Sequence, residues 1–579
     1  MQIGDLGPAQ YTMSNGTLTV TNVEYLGSSN NFPVNFDQEG GFHFAGQLWL
    51  TNGAIYDLNG GQLGGDIRIK HGILIQNDGD LTLNDFPIQG SYTLMDGTLE
   101  APGTMSLTDN AFVGQWGGTN TAGALVMGTT SQEIPTGGIY TLVDGTMNLN
   151  SATINYLGDL DQQGGTINVG TLNIPDFLFG PEVHSVFGNY SLESGQLSAG
   201  TINLSGHLVQ TGGTNTVAGN LNLQDGPADY IMYGGLLNTS NTVKTIGAFH
   251  QTNGIHSVQN LLQIDNPLAY DLVGGQLIAP FIQIDNSTLA HFGGSVSNSA
   301  VLIMNFGLWI EHSPSVQLGR LRVVGSGFPS TLSIATNPCT VHFIGSSGQV
   351  WSNNVTFQIG GWSGSLTGGG QSQVYFGNNA SGLSASQLAH IQFTFSQGNL
   401  PAKILPNGEI VPLITGLPFY PTDLTATAFG SNRVELGWTD NALNEYGYDI
   451  ERSLDGTNFA QICATEANVT NYSDIEVAPA TTYYYRVRAL NTNGNSDFSN
   501  IASATTLATL NATMTAQPGG AMQLNFTGQA QRSYEIDISS DLAYWVPWTT
   551  QFTETGTFSV TDDTATNSPT RYYRITLLP

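Results

Sequence analysis

Asp66, Arg68 and Lys70 alternate along one stretch of the chain. Side chains two residues apart on a strand share a face, so a carboxylate and two cations would stand together there. A base beside acidic groups is what proton abstraction from a polysaccharide needs, and paired carboxylates are what glycoside hydrolysis needs. Asp78, Asp80 and Asp85 follow closely. Over residues 1–300 the only other cation is Lys244, so this is the one concentration of catalytic-type residues in that stretch. Surface charge accounts for it better than catalysis.

The histidines are scattered. His250, His256 and His291 would approach each other if successive segments stacked in register, and three imidazoles suit a metal such as zinc. Polar turn residues are the preferred reading. Asn77-Asp-Gly-Asp80, and Asp440 with Glu445, offer calcium-type oxygens without a full ligand set. Cys339 and Cys463 fall in different parts of the chain, which excludes a disulfide framework and reads as two buried free thiols. No Ser-His-Asp arrangement can be placed, and no nucleotide motif occurs. No catalytic, cofactor-binding or metal-binding residue is therefore assigned, no cofactor is expected, and an enzymatic role is the lesser expectation.

Charge narrows the partners. The 579 residues carry a net charge of −30 with only 13 Lys and Arg, and charged residues make up 10% of the chain. Binding nucleic acid by phosphate neutralisation is excluded on that balance. An anionic polymer would be repelled unless calcium bridged the surfaces. No apolar run reaches the ~18 residues that cross a bilayer as a helix. The first residues lack the charged and apolar regions of a signal peptide, while the scarcity of Lys leads to the expectation of an extracellular or cell-surface protein.

What would position such residues is a repeat. Tyr-x-Leu/Met-x-x-Gly-x-Leu/Met begins at Tyr11, Tyr56, Tyr92, Tyr140, Tyr190, Tyr230 and Tyr270. Between these copies lies Gln-x-Gly-Gly or a near variant, from Gln38, Gln115, Gln162, Gln210 and Gln251, with His291 in the Gln place last. The regular part repeats about every 40 residues, as two coils of about 20. Runs such as Thr201-Ile-Asn-Leu204 alternate apolar and polar side chains, so one face turns inward. Gly and Asn separate the runs, and glycines supply positive φ at corners; Gly234 is taken as one such corner. The pattern predicts a right-handed parallel β-solenoid (β-helix) over 1–300, continued and capped over 301–417. Tyr rings would lie on the coil below with hydroxyls reaching solvent or backbone, and stacked Gln would form amide ladders at the turns. A ligand groove lined by the Tyr and Gln rows is the lesser reading. Uneven spacings place insertions at 24–35, 109–135 and 171–187, the last with aromatics between prolines.

Trp362 to Gly370, Val374-Tyr-Phe-Gly377, Gly382 to Leu388 and Ala402 to Pro412 resemble a segment near the end of large secreted bacterial repeat proteins. That resemblance implies a cap. The glycine triplet 368–370 is a poor phosphate loop, and Ser384 to His390 predicts one short helix with Ser384 as its N-cap. Residues 418–507 resemble a fibronectin type III domain through Pro421, Leu424, Trp438, Asn444 to Arg452, Asp455-Gly456 and Thr481 to Ala489. The resemblance makes Trp438 the core tryptophan and Tyr483 the corner tyrosine. Residues 508–579 resemble a small C-terminal β-sandwich module of environmental-bacterial surface proteins, through Tyr534-Glu-Ile, Ser540 to Trp545, Phe558, Asp562 and Arg571 to Arg574. Trp545 and Trp548 would pack in its core rather than form a sugar-stacking face.

The expected protein is thus all-β and serves as an extracellular or cell-surface structural or adhesive repeat protein, possessing self-association into a filament or stalk as one outcome. Its expected partners are other copies of itself or extracellular polysaccharide. The alternative is a carbohydrate-binding or polysaccharide-cleaving β-helix protein.

Overall fold

The computed structural model describes all residues except 1, 4–7, 28–31, 129–136, 176–187, 225–227, 245–246, 266–268, 326, 568–569 and 579. The chain forms two compact units, Met1–Leu413 and Ile414–Pro579. It is nearly all β, with 1% helix.

The first unit is a parallel β-solenoid of about 14 turns. One coil consists of a short strand, Asn189–Leu192, a glycine corner, and a long strand, Gln196–Leu204; the next repeats this as His207–Gln210 and Thr214–Leu223. The two alternating runs expected after each corner thus join into one strand. That strand bends where the register slips, between Ala199 and Ile202 in this coil. Coils pair in parallel with equivalent residues opposed, Tyr190 to Leu208 and Ile202 to Leu221. Alternation sends Leu197, Ile202 and Leu204 inward, where they are buried, and polar side chains outward. Stacking continues this apolar interior from coil to coil.

The corner needs glycine for two reasons. Gly235 has φ +80°, and a Cβ there would sit 2.5 Å from the carbonyl oxygen of Gly213, one coil before. Positive φ strains an L-residue and backbone contact forbids a side chain. The expected corner, Gly234, is the neighbour of that residue and shows no positive φ; a Cβ on it would sit 2.5 Å from the Thr211 oxygen. Close approach, not backbone conformation, keeps it glycine.

The expected insertion at 109–135 contains coil strands, Ala111–Gln115 and Thr119–Met127, and its residues 129–135 lie outside the described residues. In 171–187 the strand Thr166–Ile174 covers the first residues, and Phe177 and Phe179 lie outside the described residues, as do 28–31 within 24–35.

At the C-terminal end the parallel pattern stops. Ile391–Phe395 pairs antiparallel with Gly398–Ile404, which pairs antiparallel with Glu409–Pro412. This hairpin occupies strand edges that another coil would otherwise need. Ser384 caps the short helix Ala385–Leu388 with a reciprocal capping box through Gln387. The glycine triplet is a turn around a carboxylate of the chain itself, since Gly369 N donates to both oxygens of buried Glu409 at 2.9 and 3.0 Å. No phosphate is needed to explain it.

In the second unit, residues 418–507 form a β-sandwich whose sheets resemble those of a fibronectin type III domain. Sheets of three strands and of four in line plus an added strand enclose Trp438, Tyr448, Ile450, Tyr485 and Val487. The Ala478 amide donates to the Tyr483 hydroxyl at 2.8 Å, the expected corner. Residues 508–579 form two sheets of three strands with the same connection order. Arg574 opposes Asp537 across one of them, as Arg486 opposes Glu451 in the first module. Tyr573 donates to Asp562 and Tyr485 to Asp474, at 2.8 and 3.0 Å. The C-terminal module is therefore a second sandwich of this topology, without a counterpart among its described residues of the strand Ala502–Thr505, which pairs with Thr482–Asn491 in the first.

Candidate functional site

The residues that recur most are inside. Tyr56, Tyr92, Tyr140, Tyr190, Tyr230 and Tyr270 are fully buried, as are Gln38, Gln76, Gln115, Gln162, Gln210 and Gln251. Each tyrosine hydroxyl donates to the Gln Oε1 of the coil before it, at 2.6 Å from Tyr56 to Gln38, 2.7 Å from Tyr92 to Gln76 and 2.6 Å from Tyr230 to Gln210. The Gln amide then donates to two corner carbonyls, as Gln210 does to Gly213 and Leu236 at 3.4 and 3.1 Å. Coils are thereby stapled in pairs. The hydroxyls reach neither solvent nor backbone, and the glutamines form no amide ladder because a tyrosine coil separates them. Both rows are also excluded as the lining of a groove. Tyr11 departs from the row and is exposed. Burial pushes the Tyr190 and Tyr270 phenols well above their usual value.

Some partners escaped sequence reading. Gln76 lacks the double glycine but keeps the spacing of Gln to the positive-φ glycine three residues on, Gly79, that Gln38 has to Gly41. A second inward position touches the tyrosine hydroxyl in four coils: His43 at 2.7 Å from Tyr56, Asn120 at 2.9 Å from Tyr140, Asn215 at 3.0 Å from Tyr230, and His256 at 2.9 Å from Tyr270. Polar residues at an inward place of an alternating run were the available signal.

The three expected histidines do not converge, and among the described residues no group of three His, Cys, Asp or Glu is arranged to hold a metal. His256 is buried between Tyr270 and Thr242, and burial lowers its imidazole to about 3. His250 is on the outer face with Asp271, at 2.8 Å. His291 takes the Gln place as expected, but bonds Glu311 at 2.7 Å in full burial, where Trp309 and Ser313 also donate to that carboxylate. At the other end His43 bridges Tyr56 to buried Glu24, at 3.0 Å.

The remaining candidates separate as well. Asp78 accepts from Gly79 N, and Asp80 from the Thr98 hydroxyl. Asp440 accepts from Tyr448 and from Ala442 N, while Glu445 accepts from Asn468 N. Cys339 is buried, its thiol pushed up to about 11 by burial and then by Glu311; Cys463 is half-buried, and both are free. Trp548 packs on the C-terminal core as expected. Trp545 does not: it is half-buried under Arg574, 4.8 Å from its ring centre.

Two hollows lie on one flank, at the bend of the long strands. One, of about 540 Å³, is bordered by Phe44, Asp66, Arg68 and Asp85. Arg68 is paired with Asp66 at 3.1 Å and lies over the Trp49 ring, while Asp85 is held by Thr104 N. The other, of about 570 Å³, runs over five coils past Thr121, Asn148, Asn168, Ser198 and Thr216. Both follow one register row, from Phe44 through Gly64, Thr82 and Glu100 to Thr121. Of the first cluster only Asp66, Arg68 and Asp85 reach this flank hollow.

No family model matches the sequence. An α-amylase of Niallia circulans is 34% identical over 151 residues, 25% of this chain and 11% of that protein. An amylopullulanase of Thermoanaerobacter thermohydrosulfuricus is 37% identical over 78 residues, 13% of this chain and 5% of that protein. The chain thus spans a small part of these curated relatives. Among solved structures, an Fn3-like protein from Clostridium thermocellum is 31% identical, with 15% of this chain and 92% of that one covered and a TM-score of 0.14. A β-1,2-glucanase from Parabacteroides distasonis is 26% identical, with 17% and 15% covered and a TM-score of 0.14.

Proposed function

We propose that this is a non-catalytic structural repeat protein that works outside the cell or on its surface, as an adhesin, a stalk or the subunit of an assembly. The observation that carries the reading is the interior column. The polar residues repeated along the chain bond to one another and to corner carbonyls, so the repeat supplies stiffness rather than a reactive surface. The surplus of acidic residues and the rarity of Lys support an extracellular setting. Self-association belongs to the same reading, because stacked parallel coils of this kind can be extended by pairing with a second copy. Light scattering over a range of concentrations, with electron microscopy of the same samples, tests the assembly. A mass that rises with concentration is expected; a monomer mass throughout, with no fibres, removes self-assembly.

A carbohydrate-directed role is the second reading, favoured by the flank hollow with Asp66, Arg68 and Asp85 and by the names of the similar proteins, an amylase, an amylopullulanase and a glucanase. New reducing ends or unsaturated products from a polysaccharide panel would establish cleavage.

A further inference from the structure

We propose that the trough from Thr121 to Thr216 is a binding site for a single extended chain of a neutral polysaccharide. The proposal rests on the adhesive reading and names its ligand.

Its shape follows from the coil geometry. A Cβ on Gly170 would sit 2.4 Å from the Asn150 oxygen, and one on Gly200 would sit 2.3 Å from the Gly170 oxygen. No side chain fits at Gly170 or Gly200, and the flank is hollow there. Thr121, Asn148, Asn168, Ser198 and Thr216 then stand in one row, each the register partner of the next. With neighbouring strands about 4.8 Å apart, the row is roughly 19 Å long. It presents one hydroxyl or amide per step. Asn168 donates to Asn148 at 2.9 Å, which orients both amides and leaves the Asn148 amide nitrogen and the Asn168 oxygen for a ligand.

The chemistry of the row selects the occupant. Among the described residues no charged side chain borders the hollow, and a net charge of −30 opposes any polyanion. A peptide strand would need a free sheet edge, but the backbone here is committed to coil–coil ladders on both sides. An extended, uncharged, hydroxyl-rich polymer meets a periodic row of hydroxyls and amides over apolar Ala122, Leu149 and Val169. Further along the same row, exposed Phe44 offers an aromatic face beside the neutralised Arg68–Asp66 pair, an amphipathic surface suited to a sugar ring.

The test is affinity electrophoresis of the full chain through gels containing hydroxyethyl cellulose, galactomannan or soluble starch, with polygalacturonate as the charged comparison. Retardation by at least one neutral polymer and none by polygalacturonate is expected. Ser198→Trp, which fills the trough from an exposed position, should weaken retardation at least about tenfold, and Asn168→Ala roughly tenfold, the scale of one hydrogen bond. Ser191→Trp, on another face, should leave it unchanged. Thermal melting confirms folding, and Asn168→Ala decides if Ser198→Trp does not fold. Retardation by no neutral polymer, or equal retardation of wild type and the trough variants, overturns the proposal. Concentration-dependent mass without glycan retardation would overturn this site and leave the scaffold reading standing; the converse would remove assembly alone.

Discussion

Tyr230 donates its hydroxyl proton to Oε1 of Gln210 in the preceding coil, at 2.6 Å, with both side chains fully buried. Gln210 in turn donates to the Leu236 carbonyl in the coil of Tyr230. Replacing Gln210 by Leu keeps much of the volume but strands that hydroxyl proton and the corner carbonyls. Each unsatisfied buried group costs about 1–3 kcal/mol, so Gln210→Leu should destabilise the solenoid by about 3 kcal/mol. Tyr230→Phe should cost less, and the double variant should cost less than the sum of the two, as read in a denaturation cycle.

The corner glycines differ in a way that substitution can read. Gly235 combines φ +80° with a backbone oxygen 2.5 Å from any Cβ, whereas Gly16 has φ +98° and open space around it. Gly16→Ala should cost about 1 kcal/mol, the strain alone. Gly235→Ala should cost clearly more, because a neighbouring coil must also move. Melting temperatures of the two variants check the order.

His256 makes the solenoid sensitive to acid. Its imidazole falls from the ordinary 6.5 to about 3 through burial, so the unfolded chain binds a proton that the folded chain refuses. The corresponding stability is complete above pH 6.5 and is lost as pH falls toward 3. By pH 3 the loss approaches roughly 5 kcal/mol. His256→Asn puts at this position the residue that Asn215 supplies to Tyr230, keeps a donor to Tyr270, and should flatten that part of the pH profile. Denaturation midpoints of both proteins between pH 7 and about pH 4 measure it.

Each sandwich buries an acid at the equivalent place of its three-stranded sheet, Asp474 in the first and Asp562 in the second. Asp474 is held by Arg452 and Tyr485, and Asp562 by Arg571 and Tyr573. Asp562→Ala leaves an arginine and a phenol without their partner, and should cost the C-terminal module about 2–4 kcal/mol. Asp474→Ala should do the same to the first module. Scanning calorimetry checks both, as a lower melting transition of the altered module in each variant.

Much of the fold was legible because alternation and glycine spacing are local signals. Tyr190, Gln210 and Tyr230 mark successive coils in the residue order alone, and Trp438 and Tyr483 mark the first sandwich. The function of the repeated residues was not legible, since it depends on diagonal contacts between coils. That the Tyr230 hydroxyl meets Gln210, rather than solvent, follows only once the register of Leu208 with Tyr230 is known. The same holds for the flank trough: Thr121, Asn148 and Ser198 are far apart in sequence, and register alone aligns them. In the C-terminal module, Trp545 and Trp548 look alike in the sequence. The turn bond from the Trp545 ring nitrogen to the Leu542 oxygen keeps the first away from the core.

Ultraviolet titration of the tyrosines in the intact chain tests the interior column most directly. The chain has 22 tyrosines. The account predicts that burial keeps Tyr56, Tyr92, Tyr140, Tyr190, Tyr230 and Tyr270 un-ionised above the ordinary 10.0, and that they ionise only as the solenoid unfolds. A reversible step that omits at least these six is the expected result. Complete, reversible ionisation of all the tyrosines near pH 10 in a folded protein would contradict it.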